Sequence, residues 1–334
     1  MPKTRVGRSS CGAIPCGCWP KRVERKSIPP ARSTPLRALG SRRCTRLLLP
    51  RPFPAWWHWN PEALGVPALR CEALLLRSVD FGESDRIVHL LTADGGRLTA
   101  IAKAARRSHR RFPGTLDLFN HLAIDGRVKP RATMAFLERA KLVHPFLGLR
   151  TDPARYALAS FLTEMLDRLS PEGIVGPEAE RIFEFAIESL RLLERTRPTP
   201  SLRLLLELRG LDALGLRPEF GRCVRCGRVA GEGIARDHRV HFHVADGGIV
   251  CTACGVRLEG LIPIEIGTLR SLKAGLASPA DRLDRIALGA RMLAQAARVV
   301  FRFQRYHVGV ELRSERFLDE MLPVVGHEST APPA

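Results

Sequence analysis

Two Cys-x-x-Cys-Gly motifs constrain the fold of this chain more than any other feature. Cys223-Val-Arg-Cys226 and Cys251-Thr-Ala-Cys254 are each followed by glycine, and 24 residues separate them. Glycine allows the backbone to turn sharply beneath two sulfurs that lie on one side of it. Two such turns can supply four thiolates at tetrahedral positions, the ligand set of a closed structural zinc site. The motifs therefore predict structural Zn²⁺, with disulfides, free thiols or a redox dithiol as alternatives.

A catalytic zinc ion is disfavoured, because four thiolates leave no coordination position for water. The net charge of +19 over 334 residues predicts a polyanionic partner, either nucleic acid or an anionic membrane surface. Nine cysteines, four of them in zinc spacing, favour a reducing compartment such as the cytoplasm. No run of about 18 apolar residues is present, so we expect no membrane-spanning helix.

Residues 1–68 differ in composition from the rest of the chain. They hold 13 Lys and Arg against two Glu, are rich in proline, and show neither a strand nor a helix period. Three interpretations remain open for this basic extension: a start codon assigned too early, a disordered nucleic-acid-binding arm, or an organelle transit peptide. The last would place the protein in an organelle.

Residues 69–148 contain five short apolar or alternating stretches, which predict five β-strands. The stretches are residues 70–79, 87–92, 97–103, 118–125 and 132–143. Asp94-Gly95-Gly96 predicts a hairpin between the second and the third. Five short strands in about 75 residues favour a small closed barrel of the oligonucleotide-binding (OB) type.

A basic loop lies between the third and fourth predicted strands. It carries five cations in nine residues: Lys103, Arg106, Arg107, Arg110 and Arg111. On a barrel surface they are expected to bind phosphates, with Phe112 as a base-stacking face and with Lys129 and Arg131 extending the surface. The alternative is an ordinary solvated loop. Low aromatic content predicts that phosphate contacts outweigh stacking and that sequence specificity is low.

Residues 149–325 are predicted to form a mostly α-helical domain with an inserted four-cysteine, zinc-ribbon-like segment over residues 221–256. Asp152-Pro153, Pro177 and Thr199-Pro200 each mark the start of a helix with a leucine-rich apolar stripe. Ser278-Pro279 is expected to start one long helix running through Phe301. Residues 326–334 are expected to form a flexible tail. The predicted fold class is therefore α+β, with an OB barrel followed by helices.

Several motifs in this order resemble the RecO family of recombinational DNA-repair proteins. They include Glu72-Ala-Leu-Leu-Leu-Arg77, Phe81-Gly-Glu-Ser-Asp-Arg86, Leu91-Thr-Ala-Asp-Gly-Gly-Arg-Leu98, Cys223-Val-Arg-Cys-Gly227, Gly247-Gly-Ile-Val-Cys251 and Arg313-Ser-Glu-Arg-Phe-Leu318. The similarity covers about residues 70–322. Ala104 stands where the family often has Gly, a departure expected to stiffen the start of the basic loop.

The resemblance implies a non-enzymatic DNA-binding mediator in the cytoplasm near the nucleoid. Members of the family bind single- and double-stranded DNA, anneal complementary strands and act with RecR. They also help load RecA onto DNA coated with single-strand-binding protein, and they contact the C-terminal tail of that protein. Because some members lack the cysteines, the metal is expected to be structural.

Two rival functions remain at this stage. One is a zinc-ribbon transcription or RNA-binding factor, which would show sequence or RNA preference. The other is a nuclease or nucleotide hydrolase. The sequence holds no Gly-x-x-x-x-Gly-Lys-Ser/Thr loop and no His-Glu-x-x-His motif, so an enzyme is not expected.

Overall fold

A closed five-stranded barrel forms the first domain. The computed structural model describes residues 68–128, 133–230 and 239–324. The strands are β1 (Ala68–Phe81), β2 (Asp85–Thr92), β3 (Gly96–Ala102), β4 (His121–Arg127) and β5 (Ala135–His144). They pair in the order β1-β2-β3-β5-β4, with β4 closing onto β1. Only the β3–β5 pair is parallel among the described barrel strands. This order confirms the predicted OB-type barrel.

Two glycines shape the barrel. Gly96 has φ +61° and follows the β2–β3 turn, where Thr92 caps the turn through its hydroxyl, as the Asp-Gly-Gly sequence predicts. At Gly126 a β-carbon would lie 2.5 Å from the carbonyl oxygen of Phe136 on β5. The register of β4 against β5 shifts beside this glycine, so the close approach marks a bulge that helps the barrel to close.

Three helices follow the barrel and begin where the sequence predicts. They are α1 (Pro153–Leu169), α2 (Pro177–Arg195) and α3 (Pro200–Ala213), each with proline at its first position. The Asp152 carboxylate accepts a hydrogen bond from the Arg155 amide, and the Thr199 hydroxyl accepts one from the Leu202 amide. Side-chain caps therefore fix the starts of α1 and α3 locally, whereas α2 begins after Gly176 without one.

Helix α3 is buried on both sides and separates two hydrophobic cores. Leu202, Leu205 and Leu206 pack in a core with α1 and α2. Leu204, Leu208 and Leu211 pack in a second core, which also contains Cys223 and Cys251. Leucines on two opposite faces bury α3 from both sides, so this helix is shared by both halves of the helical region.

The segment around the cysteines forms a small sheet. Strands β6 (Arg239–His243), β7 (Gly248–Val250) and β8 (Leu261–Glu265) pair antiparallel in the order β7-β6-β8. A short turn of helix, α4 (Thr252–Gly255), lies between β7 and β8, and α5 (Ile266–Ala277) follows β8 directly. The sequence analysis did not predict β8 or α5.

The predicted long helix from Ser278-Pro279 through Phe301 is wrong. Residues Ala280–Arg285 form a 3₁₀ helix, and the α-helix α6 begins only at Ala290 and ends at Val308. The break has a packing cause, since Leu283 lies in the core of α1 and α2 whereas Leu288 lies in the second core. The chain crosses between the cores, where the Leu288 amide donates to the Ser201 hydroxyl.

The last described helix, α7 (Arg313–Met321), is held by two buried or half-buried charges. Glu164 on α1 accepts hydrogen bonds from the Arg313 and Ser314 amides and from the Ser314 hydroxyl. Arg203 on α3 donates to the carbonyl oxygen of Leu322 at 2.7 Å, just beyond the end of α7. Both ends of α7 are therefore attached to the preceding helices. Across residues 68–128, 133–230 and 239–324, no helix has the length and hydropathy needed to cross a membrane.

Candidate nucleic-acid interface and metal centre

The basic loop follows β3 and is docked onto the barrel. It begins at Ala104, which has φ +51°, and continues into a 3₁₀ turn at Ala105–Arg107. The Arg106 amide donates to the Ser84 carbonyl in the β1–β2 turn, and the Ala140 amide of β5 donates to the Arg111 carbonyl. The loop is thus positioned by backbone bonds to the β1–β2 turn and to β5. Glycine would adopt this left-handed conformation without strain, whereas Ala104 carries a β-carbon that makes it unfavourable.

Three acidic side chains of the β1–β2 hairpin face the first half of the loop. Lys103 Nζ lies 2.7 Å from Asp85, Arg106 Nε lies 3.6 Å from Asp80, and an Arg107 nitrogen lies 4.0 Å from Glu83. We call Asp80, Glu83 and Asp85 the acidic turn. Hydrogen bonds from Lys103 and from the Ala104 amide lower the pKa of Asp85, so this carboxylate remains charged. The first three loop cations are therefore charge-compensated in the free protein.

The remaining two loop cations differ from each other. Arg111 is part of the scaffold, since its Nη2 donates to the Lys103 carbonyl at 2.8 Å and its guanidinium lies 5.4 Å from the centre of the Phe112 ring. Arg110 is exposed and has no ion pair among the described residues. Arg110 is consequently the loop cation most available to an incoming anion.

Phe112 does not offer the stacking face that the sequence analysis expected. Its side chain is only 4% exposed and packs in the barrel core with Leu116 and Leu137. The apolar ring gains more from burial than from lying on the surface, so the loop folds inward at this residue. Lys129 and Arg131, the predicted extension of the basic surface, lie outside the described residues.

Two cations of β5 were missed by the sequence analysis. Arg139 and Lys141 are exposed on either side of the buried Ala140, so they project from the same outer face of the strand. With Arg110 they line a cavity of about 330 Å³ between the loop and β5. The alternation Arg139-Ala140-Lys141 was the available signal, but it identifies an outer strand face without showing what lies beside it.

The four motif cysteines converge, as their spacing predicts. Their sulfurs all lie within 4.8 Å of one another, and the sulfurs of Cys226 and Cys251 are 3.7 Å apart. Zinc–sulfur bonds of about 2.3 Å in a tetrahedron place sulfurs about 3.8 Å apart. The cluster therefore has the size and the donor set of a tetrahedral thiolate site, and it could hold a metal ion.

Local hydrogen bonding prepares one sulfur for this role. Burial alone would raise the pKa of Cys223, but bonds from backbone amides, chiefly that of Cys251, outweigh it and lower the pKa to about 6. Hydrogen bonds with Cys251 and the other sulfurs raise the pKa of Cys254 to about 12, because close thiols cannot all ionise without a cation between them. A bound cation would remove this conflict.

The two histidines on β6 lie outside the sulfur cluster. His243 Nδ1 faces the Asp246 carboxylate at 2.9 Å, and Arg225 Nε also contacts Asp246 at 2.6 Å. The group of potential metal ligands found in the described part of the chain consists of the four cysteines. The possibility that a histidine replaces one thiolate therefore has no geometric support.

Comparison with known proteins covers both domains. Residues 67–146 match the family described as Recombination protein O N terminal, and residues 150–316 match that described as Recombination protein O C terminal. The chain is 33% identical over 262 residues to the DNA repair protein RecO of Anaeromyxobacter dehalogenans (strain 2CP-C), covering 77% of this chain and 98% of that protein.

Two other relatives show similar coverage at different identities. The DNA repair protein RecO of Myxococcus xanthus (strain DK1622) is 34% identical over 250 residues, covering 75% of this chain and 96% of the relative. That of Bacillus subtilis (strain 168) is 28% identical over 252 residues, covering 75% and 94%. The similarity thus spans nearly the whole of each relative.

Proposed function

Because this chain belongs to the RecO family of DNA repair proteins, we propose that it is a non-enzymatic DNA-binding recombination mediator. In this role it anneals complementary single strands and helps load RecA onto DNA coated with single-strand-binding protein. RecR and the C-terminal tail of the single-strand-binding protein are its proposed partners, and the bacterial cytoplasm, at the nucleoid, is its proposed location. The observation that carries the proposal is a cationic loop docked on an OB-type barrel.

The mechanism rests on electrostatics that do not depend on base sequence. Two DNA strands repel each other through their phosphates, and cations that neutralise some of those phosphates reduce the cost of bringing the strands together. Arg106, Arg107 and Arg110 supply such charges from a loop whose backbone is already fixed. Contacts to phosphates position a strand without reading its bases, which suits annealing of any sequence.

The acidic turn gives this surface a second property. Asp80 and Glu83 lie 3.6 Å from Arg106 and 4.0 Å from Arg107 in the free protein. These carboxylates compete with a phosphate group for both arginines, so they reduce the net Coulomb attraction to DNA. The expected consequence is moderate affinity with rapid exchange, which fits a protein that must release strands after they pair.

We also propose that the four-cysteine cluster holds structural Zn²⁺. The sulfur spacing fits a tetrahedral site, and all four positions are filled by protein, leaving none for a reacting water. Cys223 and Cys251 lie in the same core as α3 and α6, so the metal would stabilise the neighbouring helices rather than act on DNA.

The salt dependence of DNA binding tests the phosphate-contact mechanism. Each contact to a phosphate of a single strand contributes about 0.7 to the slope of log K against log salt, so R106A/R107A/R110A is expected to lower the slope by about 2. Arg111 is kept because it holds the loop. The matched control R270A/K273A/R282A removes three exposed cations from the helical region. An unchanged salt slope in the loop variant would show that DNA binds elsewhere on the protein.

A strand-annealing assay separates the proposed function from its rivals. Complementary DNA strands coated with the cognate single-strand-binding protein are mixed with and without this protein, and duplex formation is followed by fluorescence quenching. Acceleration with intact strands is expected. Preference for RNA or for one sequence in competition would favour the transcription or RNA-binding alternative, and cleavage of labelled DNA with Mg²⁺ would favour a nuclease.

A further inference from the structure

We propose that the cavity between the basic loop and β5 is a groove that binds the phosphate backbone of one DNA strand, and not a duplex. The inference rests on the proposed function and deepens it by naming a subsite. Its residues are Arg110 and Pro113 from the loop, Thr115 from the segment before β4, and Arg139, Lys141 and Leu142 from β5. These residues are called the β5 groove below.

The cations of the β5 groove make no salt bridge within the described ranges, unlike those of the first half of the loop; Asp125, the cross-strand neighbour of Arg139, pairs with Arg70 instead. Arg110, Arg139 and Lys141 all line it, no acidic residue does, and none of the three has an ion pair within the described residues. Lys103, Arg106 and Arg107 instead each face a carboxylate. The cations for which no carboxylate competes with an incoming phosphate therefore lie in the groove.

The strand geometry sets the spacing of two of these cations. Arg139 and Lys141 are two residues apart on β5, and the rise of a strand separates them by about 7 Å. Successive phosphates of an extended nucleic-acid strand have a similar separation, so both cations can be used by neighbouring nucleotides. Leu142, the next residue of β5, lies beside a register shift in the β4–β5 pairing and is 47% exposed, so it can contact a base or sugar.

One residue that lines the groove carries a buried hydroxyl group without a partner in the described part of the chain. Thr115 is only 3% exposed, and its Oγ1 makes no hydrogen bond among the described residues. A buried hydroxyl without a partner destabilises the folded state, and threonine hydroxyls are common donors to phosphate oxygens. The combination of an unpaired hydroxyl and three unpaired cations at one cavity favours a phosphate ligand.

The size of the cavity favours one strand over two. A volume of about 330 Å³ has room for part of one nucleotide chain but not for two chains side by side, and only a single strand leaves a base free to contact Leu142. An acidic peptide has the same charge sign. Continuity with the cationic loop proposed to bind phosphates favours nucleic acid, because Arg110 belongs to both surfaces.

The experiment compares two variants with a matched control by fluorescence anisotropy on labelled oligothymidylate and on duplex DNA. R139A/K141A is expected to lower the single-strand salt slope by about 1.4 and to leave the duplex slope unchanged. The control R270A/K273A removes one Arg and one Lys from exposed positions of α5 and should change neither slope. Circular dichroism melts establish that each variant is folded.

The second variant, T115V, separates binding from folding. Replacing the unpaired hydroxyl with a methyl group should keep or raise the melting temperature, yet weaken single-strand binding roughly five- to tenfold. A purely structural role for Thr115 would not lower affinity while stability is kept. If T115V binds single-stranded DNA with wild-type affinity and R139A/K141A keeps the wild-type salt slope, the proposal that the groove binds a DNA strand is overturned.

Two outcomes distinguish failure of the groove from failure of the proposed function. If R106A/R107A loses salt dependence but R139A/K141A does not, the protein binds DNA through the loop and the groove is wrong. If the wild-type protein shows no salt-dependent DNA binding at all, the proposed function itself fails. Binding of an acidic peptide that R139A/K141A abolishes, with DNA binding unaffected, would make the groove a peptide site and overturn the proposal.

Discussion

Replacing Arg203 with Met should destabilise the helical region severely, because it removes the cation that neutralises a fully buried carboxylate, that of Glu207. Arg203 is 0% exposed, and its Nε lies 2.8 Å from the Glu207 carboxylate, which is itself 1% exposed. Its other nitrogens contact Asp319 and the Leu322 carbonyl, both at 2.7 Å. The guanidinium therefore pairs with a carboxylate of its own helix and ties α3 to α7 through two further oxygens, those of Asp319 and Leu322.

The size of the loss in stability depends on whether water can hydrate the carboxylates that lose Arg203. The Glu207 carboxylate is too deeply buried to be hydrated, and removing one partner of a fully buried ion pair costs about 3–5 kcal/mol. Asp319 is partly exposed and can solvate, so it contributes less. For a domain of this size, that decrease in the free energy of unfolding corresponds to a fall in melting temperature of roughly 6–20 °C.

The assay is thermal and urea unfolding followed by circular dichroism, with limited proteolysis to detect release of α7. R298M, an exposed arginine of α6, is the matched control and should change stability by less than about 0.5 kcal/mol. The double variant R203M/E207L removes both buried charges and should be more stable than R203M alone. A decrease below about 1 kcal/mol for R203M, or a double variant less stable than the single one, would refute the reasoning.

Other predictions concern the helix cap, the acidic turn, the metal and the loop. Burial raises the pKa of Glu164, but the hydrogen bonds from the start of α7 outweigh it and the net pKa lies below 4.5. Its stabilising effect should thus be present above pH 4.5 and vanish as pH falls through the lowered pKa. E164Q should cost about 1–2 kcal/mol at pH 7 and abolish that acid dependence in pH-resolved melts. D80N/E83Q should tighten DNA binding roughly two- to tenfold at low salt, whereas unchanged affinity would exclude competition by the acidic turn. Chelation, or C251S, should remove hydrogen-exchange protection from residues 239–265 and leave the barrel amides protected; deprotection of both would show that the metal stabilises the whole chain. A104G should relieve about 1 kcal/mol of left-handed backbone strain, checked by urea unfolding; a less stable variant would show that the added chain entropy of glycine dominates.

Local chemistry made much of the fold predictable. The barrel strands were predictable from apolar or alternating stretches and from the Asp94-Gly95-Gly96 turn. The starts of α1 and α3 were predictable from a capping residue followed by proline. The convergence of the four cysteines was also predictable, because two Cys-x-x-Cys turns carry their own geometry. These features are set by interactions between residues close in sequence.

The missed features depend on tertiary neighbours. Phe112 lies in a run of cations, yet burial in the barrel outweighs its local context. In the sequence, Arg203 is one charged residue in a leucine-rich helix. Its burial is explained only by its tertiary contacts with Asp319 and Leu322. The break before α6 arises because the chain must cross from one core to the other. The spacing of apolar residues in the sequence does not indicate such a crossing.

The double-sided burial of α3 has a consequence for how the protein is made. Leu204, Leu208 and Leu211 need partners such as Val299 and Val300 of α6, nearly 90 residues further along the chain. At translation rates of about 5–20 residues per second, the part of that face that packs against α6 stays uncovered for roughly 5–20 s, although earlier residues such as Phe242 and Leu272 cover the rest sooner. A nascent chain of this kind is an expected client for chaperones that bind leucine-rich segments, and fragments ending between α3 and α6 should aggregate.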